Sequence, residues 1–232
     1  MRAKSFGPPD LAWMANEQNA PAAVIAAYGK SGVAALNLLL GARRAEGTVT
    51  AAVQISVPLN WGTSGLAHRM KSPSSLARKL AQRGEALGLE PKAVAPIIND
   101  VLRYTVVSPA AERFADDVRE SLQSIVRDGN RINEIDSSFV AGNPYMGVHA
   151  VSIGGIGFEV QYHTVESLAV KDRTHVLYEI VRDPSASLDA RRQAFDQMAS
   201  IYATVTIPEG IDAIEVDGVG VAQKIYRRPG GA

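Results

Sequence analysis

Between residues 10 and 46, Ala and Leu recur at helical intervals until Gly47, a pattern that predicts one or two packed helices. Tyr28, Gly29, Lys30, Ser31, Gly32 and Asn37 interrupt the apolar stretch from Pro21 through Leu40, which therefore reads as buried helix and not as a bilayer span. Asn60-Trp61-Gly62-Thr63-Ser64-Gly65 has the chemistry of a turn. Ser72 followed by Pro73 supplies an N-cap and a first-turn proline, predicting a helix from about Pro73 to about Leu87. Val101, Leu102, Tyr104, Val106 and Val107 read as a buried strand with Asp100 at its entrance. Pro109 then opens a predicted helix whose apolar face is Phe114, Val118, Leu122, Ile125 and Val126, and Arg127 and Gly129 mark its end.

Short strands follow near Arg131 to Ile135, Val148 to Ile153 and Gly157 to Tyr162, the last two joined by Gly154-Gly155 in a tight hairpin. Helices are expected over Val165 to Arg182 and Leu188 to Tyr202, then a strand pair around Ile211 to Tyr226. The sum is one α/β (α+β) unit, a mixed or antiparallel sheet flanked by helices. It is expected to span residues 1–232, with 1–60 as an N-terminal helical extension.

Composition narrows the function classes. The chain has 232 residues, 46% hydrophobic and 21% charged, with 24 Lys plus Arg against 24 Asp plus Glu. Such neutrality argues against non-specific binding of a nucleic acid polymer, so any polyanion site must be local. The absence of Cys removes disulfides and thiolate metal sites. The sequence opens on no basic segment followed by an apolar one, so no signal peptide is expected here.

Four stretches carry candidate chemistry. Five Lys/Arg and no acid lie between Arg69 and Arg83, with Lys71, Ser75 and Lys79 at four-residue steps across a helix start. Such a segment suits a triphosphate, and it equally fits a solvated basic helix. Gly142-Asn143-Pro144-Tyr145-Met146-Gly147-Val148-His149 is a turn feeding a strand, with an aromatic ring placed for base stacking or for plain surface packing. Alternation puts Glu159, Gln161 and His163 on one face of a strand, which is either a site or a solvated surface. With Asp100, Glu159 makes two carboxylates suited to a Mg²⁺ that bridges phosphate oxygens. Lys171, His175 and Glu179 share a helix face that either borders the site or forms a surface stripe.

In their order and spacing these stretches resemble the synthetase domain of the RelA/SpoT alarmone family, and in particular the stand-alone nucleotide 3′-pyrophosphokinases secreted by some actinomycetes. The resemblance runs from about Arg69 to about Tyr178. It implies a nucleotidyltransferase-like synthetase fold. It also implies that Arg69, Lys71, Ser75, Arg78, Lys79 and Arg103 bind ATP, and that Asp100 and Glu159 hold Mg²⁺. Asn143, Tyr145, His149, His163, Lys171 and His175 would then receive the acceptor, with Tyr145 stacked on its base and Gln161 positioning its ribose. The chain departs from the family pattern at three places: a shorter Asp100–Arg103 spacing, Ala141 where a Lys is usual, and His163 where an Arg is usual.

The implied reaction is attack of an acceptor 3′-oxygen on the β-phosphorus of ATP, with AMP released. Acceptors would include ATP, ADP, GTP and GDP, because a tyrosine face accepts any base. The alternatives are a toxin-like relative that depletes adenine nucleotides by the same reaction, and a non-catalytic nucleotide- or RNA-binding module. Likeness to secreted relatives makes the expected location extracellular, with the cytoplasm as the alternative; no membrane partner is expected. Gly29-Lys30-Ser31 mimics the end of a phosphate loop, but Val24 stands where the loop needs glycine, so a kink or turn is expected. Asp116-Asp117 is expected on the exposed side of its helix.

Overall fold

The computed structural model describes residues 11–152 and 156–231. Helix α1 (Pro21–Tyr28) and helix α2 (Lys30–Ser56) meet at Gly29, whose φ of +51° turns the chain. At Gly32 a Cβ would lie 2.6 Å from the Val24 carbonyl oxygen, so the glycine allows the two helices to approach. The apparent phosphate loop is thus a helix junction, with Lys30 exposed and paired to Glu90. Leu39, Val49 and Val53 bring one face of α2 into the core.

A six-stranded mixed sheet forms the centre, in the order β1-β2-β5-β4-β3-β8. β1 (Gly62–Ser64) is a short edge strand within the expected turn, antiparallel to β2 (Leu102–Ser108). β2 and β5 (Phe158–Thr164) run parallel, while β4 (Val148–Ser152) lies antiparallel to both β5 and β3 (Ile132–Ser137). β8 (Ala222–Gln223) closes the far edge parallel to β3. The expected C-terminal strand pair is therefore two separate features. β6 (Glu215–Val216) and β7 (Val219–Gly220) form a hairpin over Asp217-Gly218, both at positive φ as a tight primed turn requires, while β8 joins the main sheet. Gly154-Gly155 lies outside the described residues.

Helix α3 (Pro73–Leu87) has the predicted bounds: the Ser72 hydroxyl caps the Ser75 N–H and Gly88 ends the helix at φ +64°. A four-residue helix α4 (Pro91–Val94) follows it. Helix α5 (Phe114–Arg127) starts later than expected, because Ser108 and Ala110 exchange hydrogen bonds in a turn that takes up Pro109. Asp117 in its first turn is largely covered, not exposed, and accepts the Trp61 indole N–H at 3.0 Å. The helix expected over Val165 to Arg182 is two, α6 (Val165–Arg173) and α7 (His175–Arg182). The Thr174 hydroxyl donates back to the Val170 carbonyl at 2.8 Å at this break, a bond that bends helices. Helix α8 (Leu188–Tyr202) packs on α7.

Alternation gives the sheet two characters. Tyr104, Val106, Phe158, Val160 and Tyr162 face α2 and α5; the Tyr104 hydroxyl meets Thr50 of α2 and the Tyr162 hydroxyl meets Ser121 of α5, each at 2.9 Å. The opposite face carries Arg103, Thr105, Glu159, Gln161 and His149. Among the described residues no helix is long and apolar enough to cross a membrane.

Candidate active site

That polar face floors a cleft of about 1090 Å³, walled by α3 on one side and by α6–α8 and the C-terminal segment on the other. This volume exceeds the range of roughly 300–1,000 Å³ usual for one small ligand. The cleft crosses the strands, so β5 lies in its middle and the two edges of the sheet lie at its ends.

The cationic end is built on one face of α3. Ser75, Arg78, Lys79 and Arg83 sit at helical spacing, and all four line the cleft with Arg103 of β2. Lys71, expected on ATP phosphates, is not among the lining residues; its ammonium lies 2.5 Å from Asp100. Lys79 reaches the other Asp100 oxygen at 2.7 Å, as an ion pair off hydrogen-bond alignment. Burial pushes the Asp100 carboxyl up, but the two ammonium groups outweigh it and hold it at about 2. Lys71 moves opposite to a simple ion pair, lowered by burial more than Asp100 raises it. One carboxylate is thus shared by two cations, which leaves a net positive charge at this end. Arg69, expected on ATP phosphates, is buried instead at 3% exposure, with its Nε 2.5 Å from Glu46 and Nη1 donating to the Leu66 carbonyl. It ties α2 to the segment before α3.

In the middle, Glu159 Oε1 receives both the Gln161 amide at 3.0 Å and His149 Nδ1 at 2.7 Å. Oε2 has no hydrogen-bond partner among the described residues, and Glu159 lines the cleft. Lys171 donates to the Gln161 oxygen at 3.1 Å, fixing which way the amide points. Burial raises the Glu159 carboxyl, and the hydrogen bonds from His149 and Gln161 with the nearby Arg103 charge outweigh this and hold it at about 2. Burial, with Arg103 close by, lowers the Lys171 ammonium.

Behind Glu159 the hydrogen bonds continue inward. His149 Nε2 lies 2.6 Å from the Tyr145 hydroxyl, which lies 3.0 Å from His163 Nε2, whose Nδ1 is 3.0 Å from the Ser167 hydroxyl. His163, expected to contact the acceptor, is fully buried and supports Tyr145 from below. Burial, then Lys171 and His149, keeps it well below the usual imidazole range and so neutral, while burial raises the Tyr145 hydroxyl well above its ordinary value. The single Ser167 hydroxyl proton has two acceptors in reach, His163 Nδ1 at 3.0 Å and the Thr164 carbonyl at 3.2 Å; given to His163, donation runs on from His163 to Tyr145, from Tyr145 to His149, and from His149 to Glu159. Gly147 makes room for the chain, since a Cβ there would meet His163 Cε1 at 2.8 Å and the Tyr145 hydroxyl at 3.0 Å.

The far end is aromatic. Tyr145, Tyr202, Tyr226, His175 and Tyr178 all line it. Asn143, expected on the acceptor, is buried and holds the chain together: its Nδ2 donates to the Ser138 and Lys224 carbonyls at 2.9 and 2.8 Å, and its Oδ1 accepts the Tyr226 N–H at 3.1 Å. Lys171 and His175 line the cleft together although a helix break separates them.

Sequence reasoning thus placed Asp100, Ser75, Arg78, Lys79, Arg103, Tyr145, His149, Glu159, Gln161, Lys171 and His175 around one cavity. Arg83, which the four-residue step from Lys79 could have found, and Tyr226, for which no local motif gave a signal, line the same cavity. No cluster of three or more His, Asp or Glu side chains placed to hold a metal occurs among the described residues. Asp100 and Glu159 are oxygen donors of the kind Mg²⁺ takes one or two at a time, with phosphates and water completing its shell, but both Asp100 oxygens face lysine ammonium groups in this structure.

No protein-family model matches the sequence, and none of the curated proteins matches it. Among solved structures the chain is similar to the Type VI effector Tas1 in complex with its immunity protein, at TM-score 0.48 and 18% identity over 72% of this chain and 93% of that one. It is likewise similar to the small alarmone synthetase 1 from Bacillus subtilis, at TM-score 0.46 and 13% identity over 72% and 91%. The same synthetase bound to its product pppGpp aligns at TM-score 0.37 and 13% identity over 69% and 83%.

Proposed function

We propose that this chain is a nucleotide 3′-pyrophosphokinase, transferring the β,γ-pyrophosphate of ATP to the ribose 3′-hydroxyl of a second nucleotide. The observation that carries the reading is a shared cavity: a cationic α3 face, the Glu159 carboxylate and an aromatic wall surround one volume large enough for two nucleotides. Phosphoryl and pyrophosphoryl transfers need positioning and charge neutralisation above all, and these separated elements supply both.

Ser75, Arg78, Lys79, Arg83 and Arg103 hold the ATP phosphates, and the acceptor occupies the aromatic end. The 3′-oxygen forms a bond to the β-phosphorus, the bond from that phosphorus to the α-phosphate oxygen breaks, and AMP leaves with the electron pair. The hydroxyl proton passes to Glu159 Oε2 or to water. A carboxylate held at about 2 is a weak proton acceptor near neutral pH, so its main work is to stay ionised and to fix the hydroxyl and its surroundings. Mg²⁺ would be held by Glu159 and Asp100 together with substrate phosphates, and when bound it supplies charge neutralisation on the phosphate oxygens. Asp100 would then exchange a lysine contact for the ion. Gln161, locked by Lys171, keeps Glu159 aimed.

The test is to mix the chain with ATP, Mg²⁺ and each of ATP, ADP, GTP and GDP as acceptor, and to identify products by mass and phosphorus spectroscopy. AMP and a 3′-pyrophosphorylated product are expected with several acceptors, and Glu159→Gln should cut AMP release by at least 100-fold. Wild-type rates in Glu159→Gln would remove that residue from the chemistry, and the absence of AMP from every mixture would remove the activity.

A further inference from the structure

The chain after β8 runs along the rim of the aromatic end as a strap, and both of its ends are tied down. Before Tyr226, β8 pairs with β3, the Lys224 N–H donates to the Ser137 carbonyl at 2.7 Å, and Asn143 grips Lys224 and Tyr226. After Tyr226, Arg228 Nε donates to Asp196 of α8 at 2.8 Å and Arg192 Nε donates to the Pro229 carbonyl at 3.0 Å. A segment fixed on both sides presents its middle residues rigidly, and those are Tyr226 and Arg227, which line the cleft.

Two tyrosine rings form a corner there. The Tyr226 centroid lies 6.1 Å from that of Tyr145 with the planes at 71°. Tyr145 is hemmed in, with His149 at 5.4 Å, His163 at 5.6 Å and Tyr202 at 6.1 Å around it and its hydroxyl held by both histidines. Tyr226 is less hemmed in by rings: its ring and cation contacts are Tyr145 and, 6.0 Å from its centroid, the Lys224 ammonium, with Tyr178, Asp136 and Glu159 near enough to act on its hydroxyl. A planar base entering this corner stacks on the more open ring and meets the other edge-on, the two favourable aromatic geometries at once.

We infer that the strap is the base-binding wall of the acceptor site, that Tyr226 is its stacking ring, and that Asn143 is a positioning residue acting through Tyr226; this rests on the pyrophosphokinase reading. Tyr145 then serves as the fixed side of the corner and as the link to Glu159. The Asn143 side chain, though central to the sequence motif, spends its amide on the strap and reaches the acceptor only by holding that ring.

Steady-state kinetics on Tyr226→Ala, Tyr226→Phe and Tyr226→Trp test this, with ATP and GDP varied in turn. Tyr226→Ala should raise the GDP KM by between about 5- and 150-fold, the span of one stacked base, while the ATP KM stays within about twofold. The Phe and Trp variants should restore it. Asn143→Ala should raise the same KM, and adding it to Tyr226→Ala should raise it little further, because two changes acting through one contact do not add. An unchanged GDP KM in Tyr226→Ala, or equal rises for both substrates, overturns the strap. If the wild type forms no AMP with any acceptor, the activity itself is overturned. Calorimetric titration of GDP then judges the strap separately, and equal binding by wild type and Tyr226→Ala overturns it.

Discussion

Changing Asp100 to Asn removes the shared acid and leaves two ammonium groups facing an amide. The Asp100 carboxyl sits at about 2, below its ordinary 3.8, and this drop is worth about 2 kcal/mol in favour of the ionised, folded form. The three side chains are 12%, 17% and 28% exposed, so solvent relieves part of the lysine repulsion, and the total cost should be about 2–3 kcal/mol. For a chain of 232 residues that corresponds to a fall in Tm of roughly 5–10 °C. Lys71→Met should cost less, about 0–1 kcal/mol, because Lys79 still faces the acid and a buried ammonium is removed. The sign with pH follows from the depressed carboxyl: the contribution is complete above about 4 and disappears as pH falls towards about 2. Wild type and Asp100→Asn should therefore converge in stability over that interval. Thermal and urea unfolding from pH 7 to pH 2 measure this. A Lys71→Met variant as unstable as Asp100→Asn, or a gap that persists unchanged to pH 2, would refute the one-acid, two-cation account.

Gly147→Ala should bring a methyl within 2.8 Å of His163, push the Tyr145 hydroxyl off its partners and cost about 1–3 kcal/mol of stability. Its AMP release should fall more steeply than its melting temperature predicts, because the displaced chain ends on Glu159; an active variant with wild-type rates would show the chain to be mere packing. Arg83→Gln, an exposed change on the cleft face of α3, should leave Tm within about 1 °C and raise the ATP KM severalfold, more so at low salt, with no change for the acceptor. Lys171→Met should lower kcat more than either KM, since it frees Gln161 to rotate away from Glu159; equal changes in both KM values would count against that.

Local signals exposed most of the fold. Ser72, Pro73 and Gly88 delimit α3 because each acts within one turn of the helix end it controls, and the alternation in β2 and β5 survives because burial of one face enforces it. Local rules failed where a distant contact decided the outcome. Thr50 and Ser121 accept tyrosine hydroxyls from the sheet, which fixes where α2 and α5 lie, and nothing in their own windows says so. The break at Thr174 is the reverse case, a side chain whose bond to its own helix outweighs a continuous apolar pattern.

The candidate site divides along the same line. Residues whose side chains project from a regular element into the cleft, such as Ser75, Lys79, Glu159 and Gln161, are readable because period and face are properties of the element. Arg69, Asn143 and His163 carry the polar chemistry of ligand-binding groups, but each is buried, and a buried polar group must find its partners inside the protein. Glu46, the Lys224–Tyr226 backbone and the Tyr145–Ser167 pair meet that demand, and they come from 23, 81 to 83, and 4 to 18 residues away. A motif therefore marks residues that must be near the cleft without saying which ones face it. The distinction is made by burial, which depends on the whole chain; it hems in the motif's own tyrosine and, on the strap proposal, leaves the base contact to a ring 81 residues further along.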